Sequence, residues 1–520
     1  MIGQSNSKSS QERNEAEGCQ HLVSPSLEEN IHSVKRTFEA CDDVVYHDTE
    51  FNNSSACLIY LYEMVHNETM VEIESGLSSY TATGDVKQSM SSFISKRFSY
   101  SKIKETNTIQ SIAEEIVSGN TVLLIDGIDV VYVFHSSNPI GRSIGEPNTE
   151  RTVRGPREGF VEDIQQNLKL IRRKIKTPSL KVESLVLGKE TNTQINIVYI
   201  KGTADDEVVQ EVRQRLSRIK IDGILESHYV ESMIKDSPKS PFPTILSTER
   251  PDRVCGSLLD GKVAILVDGT PFVMTVPTMF VEFLHSSEDY YDGSLIATII
   301  RWVRFLGLFV TLILPAFYIG MTTFHQDLLQ TPLLIRIAAS RSALPYPVLV
   351  EAIFMLITFE LIREAGIRMP KTFGGSIVTL LGLVLIGQAA VQAGIIGPVL
   401  MIVVSVTALT SFILPNYDFH QIIRFCGIPL LLMAGLFGFM GIIIVLMFGL
   451  AHLVSLRSFG VPYFSPVSPA RKEGWKDVFI RAPWWAMETR APGLGVENIN
   501  RSGNENMAKP KVNKGDHDEE

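Results

Sequence analysis

Cysteine is scarce in this chain: Cys19, Cys41, Cys57, Cys255 and Cys426 are the only 5, widely scattered over 520 residues and with no CxxC pair. That pattern indicates neither a disulfide framework nor a zinc site, and it suits a reducing compartment. An excess of basic charge is missing as well. Lys and Arg number 48 against 57 Asp and Glu, a formal net charge of −9, which leaves no basic face for nucleic acid. The opening residues MIGQSNSKSSQERNEAEG have no apolar signal core, so the soluble part is expected to stay on the cytoplasmic side. Catalytic signatures are lacking too, with no GxSxG, no HExxH, and His135, His228 and His285 far apart. The stretch VRGPREG lacks the GK[ST] that opens a phosphate-binding helix. A non-enzymatic protein without metal, nucleotide or other cofactor is expected.

Long apolar runs are what the chain has in abundance. They extend over residues 295–321, 344–361, 375–393, 395–414 and 428–454, and a bilayer core of roughly 30 Å takes about 20 helical residues to cross. The expectation is an all-α, multi-span membrane domain over 291–457, in contact with membrane lipid. Basic residues favour the inner side, which orients the block through Arg301 and Arg304, then Arg363, Arg368 and Lys371, then Arg424. If the fifth run simply crossed, Arg457, Arg471, Lys472, Lys476 and Arg481 would lie outside. Gly435, Gly438 and Gly441 near its middle fit a broken or re-entrant hairpin that returns inward, the expectation here, against a long tilted span with the glycines at helix contacts.

Two intramembrane acids, Glu351 and Glu360, fall on opposite helical faces at 100° per residue, so both cannot line one pore; interface anchoring is expected of each. The third run has no ionisable side chain between Gly374 and Gly397 but carries Gln388 and Gln392 on one face. Helical steps from these reach Leu381 and Val384. Such a face either packs against neighbouring helices with its glutamines bonded between them, or puts an apolar constriction beside a polar ring, an arrangement that can gate by dewetting; the resemblance given below favours the second.

The soluble half reads as two related α/β (or α+β) lobes within 53–290, about 53–140 and 181–290, after a polar tail at 1–52 expected to be disordered. Gly119, Asp126 and Gly127 match Gly261, Asp268 and Gly269: in each copy a glycine, an apolar run and a DG turn announce a hairpin. Between the lobes, a linker at 141–180 sets Arg151, Arg154 and Arg157 among prolines and glycines. Guanidinium forks on a loop can grip an anion, but Glu146, Glu150, Glu158, Glu162 and Asp163 interleave with them. Internal salt bridges that join the lobes are the expectation. From 458 to 520 a tail with Tyr463, Trp484 and Trp485 is expected to lie at the headgroups and then to become polar and disordered.

Four passages carry a resemblance: EPNTERTVRGPREGFVEDIQQNLKLIRRKI, SPFPTILSTERPDRVCGSLLDGKVAILVDGTPFVMTVP, FELIREAGIRMP and SLRSFGVPYFSP. Together they resemble the A subunit of the GerA family of bacterial spore germinant receptors, over roughly 56–466. The resemblance implies a subunit of a nutrient receptor in the spore inner membrane, working with a transporter-like B subunit and a lipoprotein C subunit. It also implies a ring-like homo-oligomer, a pentamer, that conducts ions. In the family's outer-loop pattern an acidic residue follows Arg341, where this chain has Ser342. A secondary transporter or a non-conducting membrane scaffold are the alternatives.

Overall fold

The computed structural model describes residues 22–78, 103–137, 145–368, 375–471, 474–490, 498 and 500–501, without the side chains of 375–381 and 383. The first lobe is built from α1 (Leu27–Thr37), β1 (Val44–Phe51), β2 (Ser54–Leu61), α2 (Asn67–Ser78), β3 (Ile103–Thr106), α3 (Ile109–Val117), β4 (Thr121–Ile125) and β5 (Val131–Phe134). Its five strands pair in the order β1-β2-β4-β5-β3, all antiparallel. Side chains alternate across a strand, so Cys57 and Ile59 of β2 face α1 and α3 while Ala56 and Leu58 face α2. With both faces covered, β2 and β4 read as unbroken apolar runs.

The second lobe contains α4 (Ile164–Lys174), β6 (Leu180–Leu187), β7 (Thr193–Ile200), α5 (Asp206–Ser217), α6 (Ser227–Ile234), β8 (Leu246–Thr248), α7 (Pro251–Leu259), β9 (Val263–Val267) and β10 (Val273–Val276). Its order, β6-β7-β9-β10-β8, repeats that of the first sheet strand for strand. Helices α4 and α7 cover one face, and α5 and α6 cover the other. Every ladder being antiparallel, the lobes are α+β in kind.

The two DG turns do the same work in both copies. Gly127 and Gly269 hold φ of 83° and 85°, values a glycine adopts without steric cost. The Asp126 carboxylate accepts from Leu27 N at 3.1 Å, and Asp268 accepts from Ile164 N at 3.3 Å. Each turn thus also satisfies an orphan N–H at the start of the helix that opens its lobe. This corrects two expected boundaries. Residues 27–51 form a helix and an edge strand of the first sheet instead of ending a disordered tail. Helix α4, expected within a linker reaching 180, packs into the second lobe's core.

Two short 3₁₀ turns, Phe280–Leu284 and Ser287–Tyr290, lead from the second lobe into α8 (Ser294–Thr323), α9 (Thr331–Arg341), α10 (Val348–Arg368), α11 (Gly375–Gln392), α12 (Pro398–Ser411) and α13 (Tyr417–Ser455). Among the described residues, α8 and α13 are long and apolar enough to cross a membrane, with mean hydropathy 2.0 and 2.7. Helix α12 is apolar but shorter.

Helix α13 is a hairpin. Gly438 leaves helical space at φ 60°, ψ −141°, and a Cβ added to Gly441 would fall 2.1 Å from the carbonyl oxygen of Met433, a contact possible only where the chain doubles back. Both ends accordingly reach one cluster: Phe419 and Ile423 from the start and Leu456 from the end pack with Phe280 and Phe283 of the connector.

Directly after α13, the small hairpin of β11 (Arg457–Ser458) and β12 (Val461–Pro462) docks into the second lobe. Ser458 Oγ donates to Thr244 O at 2.6 Å and accepts from Thr278 N at 3.0 Å. Tyr463, expected at the headgroups, is instead fully buried, edge-on to Phe280 at 6.0 Å. Trp484 and Trp485, beyond α14 (Trp475–Val478), are about half exposed.

Candidate functional site

The arginines singled out in the linker lie on its surface. Arg154 sits 3.8 Å from Asp292 and Arg157 3.3 Å from Glu146, both largely exposed, and Arg151 is exposed. The loop that carries them is held by the second charged stretch, whose arginines sequence reasoning passed over. Arg250, 2% exposed, donates to the Glu150 and Pro156 carbonyls at 3.1 and 3.0 Å, to Thr152 Oγ1 at 2.9 Å and to Asp252 at 2.7 Å. Arg253 pairs with Glu150 at 2.6 Å. A guanidinium saturated by backbone carbonyls and an acid fixes loop shape and has little left for a ligand.

Two ion pairs among the described residues join the lobes, an exposed one between Lys201 and Glu39 at 3.1 Å and a buried one between Arg172 of α4 and Asp43, just before β1, with two bonds of 2.8 Å. Burial works against the Arg172 charge, but the Asp43 carboxylate outweighs it, and the guanidinium holds its proton more firmly than usual. Backbone pairing continues the contact, as Asp42 N donates to Val182 O and Val182 N to Ala40 O, both at 2.9 Å.

A second junction ties lobes to helices. Asp289 accepts from Arg301 at 3.2 Å and Arg304 at 2.6 Å, all three buried. Arg301 also reaches Asp477 of α14 at 3.0 Å, and Tyr290 donates to the same carboxylate at 2.8 Å. On the other side, Ser240 bonds His452, near the end of α13, at 2.9 Å. The base of α8 and both ends of α13 are therefore in contact with the second lobe and its connector. Beside this junction lies a cavity of about 490 Å³, lined among others by Asp260, Lys262, Glu282, His285 and Tyr290. Its charges are largely answered from within, Lys262 by Glu282 and Asp260 by Arg501 at 3.0 Å. Burial raises the Asp260 carboxyl above its ordinary range.

At the far ends of the helices, Glu351 is fully buried, 3.1 Å from Arg341, and accepts from Gly397 N at 3.0 Å. It clamps α9, α10 and the N-terminus of α12, where a carboxylate suits the helix dipole. Glu360 lies at the opposite end, between Arg363 at 3.0 Å and Arg424 at 2.7 Å. Of the four residues proposed for a pore face, Val384 is 53% exposed and Gln388 and Gln392 are exposed, all on α11. Leu381 belongs to the same helix, but its side chain lies outside the described residues. Between apolar neighbours, two outward-facing amides four residues apart need either water or another chain.

Residues 32–492 match the family described as Bacillus/Clostridium GerA spore germination protein. The chain belongs to the GerA family. Among GerA relatives in Bacillus subtilis (strain 168), Spore germination protein KA is 40% identical over 497 residues, covering 95% of this chain and 91% of the relative. Spore germination protein A1 is 37% identical over 462 residues, covering 89% and 92%. An uncharacterized membrane protein, YfkQ, is 40% identical over 474 residues, with 91% of each covered. A crystal structure of the N-terminal domain of the A subunit of the Bacillus megaterium spore germinant receptor GerK3 aligns at 31% identity, covering 50% of this chain and 98% of that one, with a TM-score of 0.39.

Proposed function

We propose that this protein is the A subunit of a nutrient-responsive spore germinant receptor, and that copies of it form a ring in the spore inner membrane around an ion pore lined by α11. The observation that carries this reading is the exposed face of α11, with Val384 beside Gln388 and Gln392. In a lone protomer those amides would face lipid at a cost; around a ring they meet water.

Six passes account for the helices: α8, α10, α11, α12 and the two arms of α13, which are about 31 and 25 Å long at 1.5 Å per residue. The lobes and the segment after α13 share the cytoplasmic side in this reading, supported by the meeting of Phe419, Leu456 and Phe280 in one cluster. By resemblance the ring is a pentamer, a transporter-like B subunit senses the nutrient and a lipoprotein C subunit completes the receptor. The junction of Asp289, Arg301 and Asp477 is the route by which a rearranged lobe would move α8.

Purified full-length protein in liposomes tests the proposal. Ion flux without solute exchange is expected. Saturable counterflow of a solute would make it a secondary transporter, and a tight bilayer with correctly folded protein would make it a scaffold.

A further inference from the structure

Two arginines and a histidine meet where α10 and α13 approach the lobes. Arg363 and Arg424 both bind Glu360, so one acid answers two fixed cations. Arg424 has a side chain 7% exposed, yet its Nε and Nη2 are buried without a partner among the described residues, and so is Nε2 of His420, a residue 6% exposed. His420 and Arg424, four residues apart, lie on one helix face. A buried donor without an acceptor costs about 1–3 kcal/mol, more when charged. A water molecule could accept one such bond but would leave the net positive charge in place. The chemistry calls for an anion with several acceptor oxygens.

The surroundings say what kind of anion. Phe419, one residue before His420, packs on Phe280 and Phe283 of the connector at 5.3 and 5.6 Å, which sets the cluster at the boundary between lobes and apolar helices. Glu360, one-third exposed, marks its open edge. Leu361 follows Glu360 on α10, and Phe425 and Ile428 follow Arg424 on α13; the three are 66%, 55% and 42% exposed. A phosphate bound here would have apolar surface beside it for chains.

We propose that this junction binds the phosphate headgroup of an anionic lipid, Arg424 and His420 supplying the contacts and the acyl chains lying along Leu361, Phe425 and Ile428. The inference rests on reading these helices as membrane-spanning, but not on conduction. Basic pockets between membrane helices on the cytoplasmic side are suited to such headgroups, at about 1 kcal/mol for each Lys or Arg.

The test is native mass spectrometry of the full-length protein in neutral detergent, titrated with phosphatidylglycerol, phosphatidylcholine or inorganic phosphate. Phosphatidylglycerol should bind at least about five-fold more tightly than phosphatidylcholine, and Arg424→Gln should weaken it about five-fold. Arg424→Lys, which keeps the charge without the fork, should fall between and covers a failure of the Gln variant to fold. Arg368→Gln, at an exposed pair with Glu364, should change nothing. Equal binding of the two lipids, or an Arg424→Gln variant as tight as the parent, would overturn the proposal. So would inorganic phosphate binding as tightly as the lipid, which would mean a free-anion site. Loss of oligomers in Arg424→Gln with lipid binding intact would assign the arginine to a carboxylate of a second copy.

Discussion

Asp43 and Arg172 form a two-point ion pair across the lobes, Nε to Oδ2 and Nη2 to Oδ1, with side chains 7% and 1% exposed. Removing one partner of a buried pair leaves the other charge uncompensated, at about 3–5 kcal/mol. Arg172→Ala should therefore lower the melting temperature of the purified protein by several degrees. Arg154→Ala removes a pair that is 72% exposed on the arginine side at 3.8 Å, and its effect should stay within about 0.5 kcal/mol. Comparable losses in the two variants would mean that the exposed loop, not α4, couples the lobes.

What the sequence made legible follows from how local each signal is. The DG turns and the apolar strands beside them are short-range patterns, and the second hairpin repeats the first at Gly261, Asp268 and Gly269. Helix α1 and strand β1 escaped because their composition is polar. Their place in the fold is set by tertiary contacts: β1 pairs with β2 over its whole length and α1 packs on Cys57 and Ile59, while Asp126, 99 residues away, caps the Leu27 N–H. Glycines announced a break in the fifth apolar run, whereas the residue that turns, Gly438, emerges only from its φ. Glu351 and Glu360 were recognisable as costly acids, but Arg341, Gly397 and Arg424 become their partners through helix packing that no spacing encodes. Tyr463 looked like a headgroup aromatic because burial beneath the connector is a tertiary fact.

Stability should fall in mild acid, and His285 should be one cause. Burial, and then the nearby Arg301 charge, push its imidazole well below the ordinary range. The folded state therefore binds fewer protons than the unfolded chain once pH drops below about 6.5, and unfolding gains from each added proton. Above that pH both states are neutral and the term vanishes. Melting temperature should drop between pH 7.5 and 5.5, and His285→Gln should flatten the slope. An unchanged slope would assign the pH dependence to other groups.

Cysteine labelling tests the sidedness implied by the α13 hairpin. A single cysteine at Ala470, exposed after β12, should react with an impermeant reagent from the same side as one at Lys201 in the second lobe, which is also exposed. One at Tyr346, half exposed at the far end, should react from the opposite side. Labelling of the Ala470 and Tyr346 positions from one side would break the six-pass arrangement.

The central claim is that α11 gates an ion pore, and conductance of Val384 variants in planar bilayers tests it most directly. Val384→Ala shortens the apolar side chain and should hydrate the constriction, raising the current above that of the parent and causing germination of unstimulated spores. Val384→Leu should restrict current below that of the parent. If both variants express normally and leave conductance and nutrient dependence unchanged, α11 is not the gate, and α10 with Glu351 becomes the candidate.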